Sequence, residues 1–551
     1  MTSETEVCQN CKSEFVIEPE DFAAYGLLDL PAPNLCPYCR WKYLLAFWIF
    51  GRFRITASAL SGKRIITVLP ESVPFPIYER EEFVSDTWNP LVYGKPYDPS
   101  RPFIDQLCKL QAAVPHPHQT GIKNVNCDWT DDWWESHECY LSRSGYRNEY
   151  LSYAYRVTGS KNSIDITYCF DTERSYDCLY CFKGYNLKYS FNCRNCIDSV
   201  FLYDCRNCKN CFMSWNLRNE QYYILNEPYS KEAYFEKLKT FDLQSASTVE
   251  RLKKEFSDHV RNDAVHRATY NMQITNSSGN FLIEDKNCTS CIFVEKSENC
   301  RYCVRGYMAK DCIDQVSCIA EKCGLGALDQ WGYENICNLY TSYCRYSAYL
   351  DNCEECEYCF GCVGLRKKKF CILNKQYTKE EYEQLLSKIK NDMKRKGEWG
   401  RFFPLSAAYA GYNDSLAQIM FPMKKGKAIK FGAKWEEPSA VHHEGINGND
   451  LPDRIDDVKD DITKQRIICP ETNLSYNIAA HELAFYREHG IPLPRNHFDW
   501  RTFNRFRPLT QMLMPQQGIC SYCKKEIEHY YSSELGFQKI ACIECYQKEI
   551  A

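Results

Sequence analysis

The sequence predicts a mainly β chain with short helices, in which zinc-ribbon or treble-clef-like modules at both ends flank two Cys-rich, β-solenoid-like repeats. Three observations carry the prediction. Cys-x-x-Cys pairs sit near each terminus, the two ends match one another at an offset of 461 residues, and the middle matches itself at an offset of 148.

At 551 residues the chain is long enough for roughly four domains, each with its own core. Its longest apolar run, Tyr43 to Phe50, falls far short of the ~20 residues that span a bilayer, so no membrane partner is expected. A net charge of −4 gives no global attraction to nucleic acid. The 34 cysteines are the outlier. With no basic, apolar and small-residue leader at the start, the expected location is cytoplasmic, where thiols serve as metal ligands or small buried groups rather than disulfides.

The first element, residues 1–50, carries Cys8-x-x-Cys11 and Cys36-x-x-Cys39. Two such knuckles each present a pair of thiolates to one side of a tetrahedral ion, and four protein ligands leave no open position for water. The expectation is a structural Zn²⁺ site, with a short helix beginning at Pro19. Residues 51–100 place Ser58, Ser61, Glu79 and Glu82 at the points where a second module would carry thiols. That donor set suits zinc poorly, so this unit is read as a metal-free relic held by packing.

Residues 101–164 form an irregular or β entry to the first array, which spans 165–264, and the second array spans 265–396. Cys196, Cys205, Cys208 and Cys211 of the first land on Cys344, Cys353, Cys356 and Cys359 of the second. Each array ends in a strand-like segment and a closing helix, opened by Ser230 in the first and by the Thr378/Glu381 capping box in the second. Cys288/Cys291, Cys300/Cys303 and Cys312 recur every 12 residues, whereas Cys178/Cys181 and Cys193/Cys196 stand 15 apart. Short coils with a narrow, thiol-filled axis account for the first spacing; the second fits it less well.

Residues 397–468 form a charged connector anchored by Phe402-Phe403-Pro404 and Phe421-Pro422. Residues 469–510 are a degenerate copy of the first module, with Cys469, Thr472, His497 and Trp500 on the four ligand points, and Gly490 closing its helix. Only Cys469 and His497 could ligate a metal. Residues 511–551 regain a full tetrad, Cys520, Cys523, Cys542 and Cys545, for a second structural Zn²⁺ site.

Other constellations carry weaker signals. The run Cys353, Cys356, Cys359, Cys362 is spaced like the start of an iron–sulfur ferredoxin motif, but it lacks the final x3 spacing and the Pro, so packing thiols are favoured over iron–sulfur or zinc. No Walker A loop, dinucleotide glycine fingerprint, nucleophile elbow or zinc-hydrolase helix is present, and no enzyme activity or catalytic residue is assigned. Gly324-x-Gly326 is incomplete. His481-Glu482 has Phe485 where a second histidine would stand and is read as a surface turn. His116, His118, His442 and His443 are read as loop histidines, and Trp129 to Glu135 as aromatic packing beside a solvated turn. The basic stretch Lys388 to Arg401, with Trp399 and Phe402, is the better local candidate for nucleic acid.

Cys8-x-x-Cys11, Ile17-Glu18-Pro19-Glu20-Asp21-Phe22, Leu35-Cys36-Pro37-x-Cys39-Arg40, Trp88-Asn89-Pro90-Leu91, the central arrays and Ile491-Pro492-Leu493-Pro494 together resemble an uncharacterised bacterial family of Cys-rich proteins with terminal zinc-ribbon-like modules. The resemblance spans nearly the whole chain. Where that family carries Cys-x-x-Cys pairs, this chain has Ser58, Ser61, Glu79, Glu82, Thr472 and Trp500. The resemblance implies the architecture and brings no activity with it. The function expected from the sequence is therefore a zinc-binding, non-enzymatic scaffold for a protein partner. A metal-handling or redox protein using the arrays, and a nucleic-acid-binding ribbon protein, are the alternatives.

Overall fold

In both central arrays the chain returns beside itself at a near-constant interval. Residues pair in parallel with partners twelve positions on, as in Tyr185↔Ile197, Ile197↔Lys209 and Lys209↔Gln221 of the first array. The same register links Leu339↔Asp351↔Val363 in the second. The computed structural model describes residues 2–437 and 444–550. Across them the chain is mainly strand with short helices.

A finer period of three underlies the register. Every third residue of the first array is buried in one cluster, from Cys127 and Trp133 through Cys178, Cys181 and Leu187 to Cys205, Cys208 and Cys211. The residue before each buried position lies in the left-handed region, for example Asn186 (φ 51°), Tyr189 (φ 54°), Asn192 (φ 57°) and Asn195 (φ 52°). That conformation costs a non-glycine residue roughly 1–2 kcal/mol, least for Asn and Asp, which helps explain their abundance there. The turned backbone is held on both sides, with Arg194 N donating to Cys205 O at 3.0 Å and Asn195 N to Phe182 O at 3.0 Å. Both sequence spacings now follow. Cysteines 12 apart share a column, and those 15 apart lie one buried position further along. Gly145 is a buried position of this set, where a Cβ would strike the ring of Trp133.

The first array begins earlier than its sequence boundary of 165, since Val125↔His137 and Thr130↔Ser142 already hold the register. Its strands form a mixed sheet whose only antiparallel pair is the terminal one, Gln221–Ile224 with Glu227–Pro228. Ser230 caps the helix Lys231–Leu238, and a second helix, Ala246–Asn262, follows. In the second array the register drops to eleven residues at its start, in Met272↔Ile283 and Thr275↔Lys286, and again further on. There Lys310↔Glu321 spans eleven residues and the pairing of Ile319 and Ala320 slips. Its end has the same form, an antiparallel Lys369–Ile372/Lys375–Gln376 pair and the helix Lys379–Lys396 with the expected Thr378/Glu381 capping box.

The chain divides into two compact units that cut across sequence order. Unit 1 holds residues 1–119 with 269–437, and unit 2 holds 120–268 with 438–551. The N-terminal modules therefore belong with the second array, and the C-terminal modules with the first. In unit 1 the connector is anchored as expected, with Phe47 packed edge-on against Phe402 at 5.0 Å and Phe403 fully buried.

Candidate metal centres

All four terminal modules share one knuckle. Its first residue donates its N–H to a carbonyl five positions on and accepts from the fourth, which is left-handed. The pairs are Cys8/Ser13 with Lys12 (φ 64°), Ser58/Lys63 with Gly62 (φ 77°), Cys469/Leu474 with Asn473 (φ 56°) and Cys520/Lys525 with Lys524 (φ 62°). The second pair of each tetrad opens a helix. Cys36 caps Pro37–Leu45, and Cys542 directly precedes Ile543–Ile550. A helix N-terminus favours thiolate over thiol.

Two thiol tetrads converge. One sulfur from each of Cys8, Cys11, Cys36 and Cys39 lies within 4.8 Å of the others, and the same holds for Cys520, Cys523, Cys542 and Cys545. Cys11 and Cys36 Sγ are 3.7 Å apart and Cys523 and Cys542 Sγ 3.9 Å. A tetrahedral ion with ~2.3 Å metal–sulfur bonds requires sulfur separations of ~3.8 Å, so both donor sets fit one. In each set one thiol is favoured as the thiolate at the expense of a neighbour, Cys39 in the first and Cys545, pushed up to about 12, in the second. The hydrogen bond from Cys39 brings the Cys36 thiol down to about 5. At Cys520 burial works against ionisation, yet the backbone N–H groups of Cys542, Cys523 and Tyr522 outweigh it and bring the thiol to about 6. Asn10 Nδ2 donates to Cys39 Sγ at 3.2 Å, a hydrogen bond that steadies a ligand from outside.

The other two modules are cross-linked without thiolates. Lys63 Nζ sits 3.1 Å from Glu79 Oε1, and Ser58 Oγ donates to Glu82. The packing relic expected from sequence is thus also joined by polar bonds between its knuckle and its helix. In the module at 469–510, Cys469 Sγ donates to Asn496 Oδ1 at 3.4 Å, and His497 Nδ1 accepts from Asp499 N at 3.1 Å. Cys469 and His497 are therefore each engaged elsewhere.

The central thiols do something else. Most donate to a backbone carbonyl two residues back, and many also approach one nine residues on, as Cys178 Sγ does with Tyr176 O (3.4 Å) and Leu187 O (3.5 Å), while Cys337 Sγ reaches Arg401 O instead. Serines in the same columns make the first bond, for instance Ser190 Oγ to Lys188 O at 3.0 Å. Burial pushes the Cys193 and Cys353 thiols well up and Cys337 to about 12, whereas hydrogen bonds from neighbouring thiols bring Cys288 down to about 4 and Cys312 to about 6, so geometry rather than acidity separates the central thiols from the terminal ones. Among the described residues, the two terminal tetrads are the groups of three or more ligand-type side chains that converge.

Five residues that sequence reasoning did not single out as a set hold each module to its array, twice over. In unit 1, Arg40 Nε pairs with buried Asp314 Oδ1 at 2.7 Å, Tyr25 donates to the same carboxylate, Tyr302 donates to Asp21 Oδ2 at 2.8 Å, and Arg40 lies 4.7 Å over the Tyr302 ring. In unit 2, Arg501 Nε pairs with buried Asp165 Oδ2 at 2.9 Å, and Tyr153 and Tyr486 both donate to Glu482. Arg501 lies 4.7 Å over the Tyr153 ring. Asp21, Tyr25 and Arg40 stand 461 residues before Glu482, Tyr486 and Arg501, while Tyr153 and Asp165 stand 149 before Tyr302 and Asp314. A second contact is also shared. Phe75 stacks on His116 at 3.8 Å beside the strand pair Ile77–Tyr78/His116–Pro117, and Phe537 stacks on His266 at 3.6 Å beside Val265–Arg267/Lys539–Ala541.

These networks correct several sequence readings. Glu482 is not on a surface turn; it is buried, and burial lifts its carboxyl to about 7. His116 is not a loop residue either but opens the strand His116–Pro117, and His118 follows directly after it. Both are buried, and His116 Nε2 lies 3.2 Å from Asp351 Oδ2. Trp133 belongs to the strand Thr130–Trp134 and is fully buried, and Asp131 accepts from Thr120 N at 2.9 Å, so that stretch is array rather than turn. Gly324 and Gly326 lie in the strand Gly324–Tyr333. Several side chains of the basic stretch are engaged within unit 1, with Lys390 4.6 Å from the Trp399 ring and Lys394 2.8 Å from Asp29. His442 and His443 lie outside the described residues. No helix among the described residues is long and apolar enough to cross a membrane.

No family model and no curated protein matches the chain. Among solved structures, a "putative acetyltransferase" from Desulfovibrio desulfuricans G20 is similar at 9% identity and a TM-score of 0.11, over 44% of this chain and 65% of that one. The chain thus spans somewhat under two thirds of that neighbour.

Proposed function

We propose that this protein is a non-catalytic scaffold in which two structural zinc ions staple terminal ribbon modules that dock on a pair of β-solenoid arrays, and that the arrays present extended faces to a protein partner. One contrast carries the reading. Terminal thiols converge on a common centre with sulfur separations that suit Zn²⁺, whereas most central thiols donate to backbone carbonyls and none of them joins a converging group among the described residues. The near-constant twelve-residue register and the period of three support coils that stack along an axis, with each coil covering the apolar set of the next. The matched sockets support an origin by duplication, with each array now served by modules from the far end of the chain.

Zinc is favoured over other divalent ions because an all-thiolate, four-coordinate set is its usual structural site. Metal analysis of anaerobically purified full-length protein tests the reading. It predicts about two zinc ions per chain, no iron and no visible chromophore. Iron in stoichiometric amount, or four or more metals per chain, would replace the scaffold with a metal-handling or electron-carrying protein.

A further inference from the structure

The first array repeats Cys-Arg-Asn-Cys at 193–196 and 205–208, followed by Leu-Arg-Asn-Glu at 217–220. The twelve-residue register turns these segments into ladders, with Arg194↔Arg206↔Arg218 as neighbours. The adjacent asparagines are linked, Asn195 Nδ2 donating to Asn207 Oδ1 at 3.0 Å and Asn207 Nδ2 to Asn219 Oδ1 at 2.9 Å, so the three arginines are held in register.

Two of them are neutralised. Arg206 Nη2 lies 2.9 Å from Asp204 Oδ1 and Arg218 Nη2 3.4 Å from Asp204 Oδ2, and Arg218 also donates to Tyr546 at 2.6 Å. Arg194 is the third rung and lacks the equivalent acid. The residue fourteen positions back is Asp204 for Arg218, Asn192 for Arg206 and Tyr180 for Arg194. Its Nε and Nη2 are buried and carry no hydrogen bond, and the guanidinium lies 4.0 Å over the Phe182 ring. Burial first, and then the charges of Arg206 and Arg267, pull the Arg194 guanidinium down to about 10. Four arginines therefore share the carboxylate of Asp204, and two buried donors of one of them face no acceptor. A desolvated guanidinium with two unpaired donors and only a share of one carboxylate is costly, and its planar fork matches an oxyanion.

We propose that Arg194, with Arg206 and Arg267 beside it, forms a binding site for a small tetrahedral oxyanion, inorganic phosphate or sulfate. The corresponding place in the second array has Ser342 in place of Arg194 and Glu354 in place of Arg206, so the site belongs to unit 2 alone.

The test is thermal unfolding of the full-length protein in sodium phosphate and in sodium sulfate, each against sodium chloride at matched ionic strength. A saturable rise in melting temperature of about 2–5 °C is expected with at least one of the two oxyanions, absent in chloride. Arg194→Met should abolish the rise, while Arg174→Gln, at an exposed ion pair with Glu488, should keep it. If Arg194→Met does not fold, Arg194→Lys replaces it and should lose most of the rise, because an ammonium cannot supply the fork. An equal response to all three salts, or a full rise in the Arg194 variant, overturns the site.

Discussion

The modules at 1–50 and 469–510 keep the same knuckle backbone, the same left-handed fourth residue and the same docking set, yet one holds four converging thiols and the other holds Cys469, Thr472, His497 and Trp500. The difference separates two jobs. Position on the array is set by the buried Arg–Asp and Tyr–carboxylate contacts, which persist without thiols. A metal held by the tetrad would do a narrower job, tying the knuckle to the helix within a module. Where the tetrad is gone, other bonds can do this, as Lys63–Glu79 and Ser58–Glu82 show in the unit that follows the first module.

The largest effect should come from removing a ligand. Cys36→Ser should halve the zinc content and expose the backbone of residues 1–50 to hydrogen exchange, while residues 469–510 stay protected; equal loss of protection in both modules would break the comparison. Next is the docking pair. Arg40→Met leaves Asp314 buried without its cation and should cost about 3–5 kcal/mol in denaturant unfolding. Arg501→Met should cost less, because Arg505 Nη2 remains 2.6 Å from Asp165. The reverse order would mean that the two sockets work differently.

Each unit carries a buried histidine whose own contribution to stability is lost in acid, opposite in sign to that of carboxyls lifted by burial such as Glu482. Burial lowers His118 of unit 1 and His489 of unit 2 to about 4, against 6.5 when unfolded. Between those values the folded state binds fewer protons than the unfolded one, so stability is full above pH ~6.5 and falls as pH drops toward 4, by up to about 3 kcal/mol per histidine. Replacing either by Phe should flatten that dependence, read from unfolding midpoints across the range. The smallest effect belongs to the arrays. Cys193→Ser should cost no more than about 1 kcal/mol, since Ser190 and Ser199 occupy equivalent buried positions and make the same carbonyl bond.

Much of this was legible in the residues. Both tetrads, the closing helix with its Thr378/Glu381 box and the likeness of the two ends all follow from spacing alone. The period of three did not, because attention to cysteine hides the Ser, Thr, Leu, Asn and Gly that fill the same columns, such as Ser175, Leu187 and Ser199. The sockets were hidden for a different reason. Tyr25 with Tyr486 and Arg40 with Arg501 served to align the two ends, but their partners Asp314 and Asp165 lie hundreds of residues away in sequence. The pairing of early modules with the later array is a tertiary fact with no local signature. Glu482 looked like surface because a lone acid on a helix usually is, and Tyr153, Tyr486, Arg501 and the Ala479 N–H together make its burial tolerable.

Zinc-edge X-ray absorption on the full-length protein puts the division between terminal and central thiols to its most direct test. The account predicts a single shell of four sulfurs at ~2.3 Å for every bound zinc, unchanged by Cys193→Ser and halved in edge intensity by Cys36→Ser. A shell containing oxygen or nitrogen, or a signal that falls when a central cysteine is replaced, would contradict it.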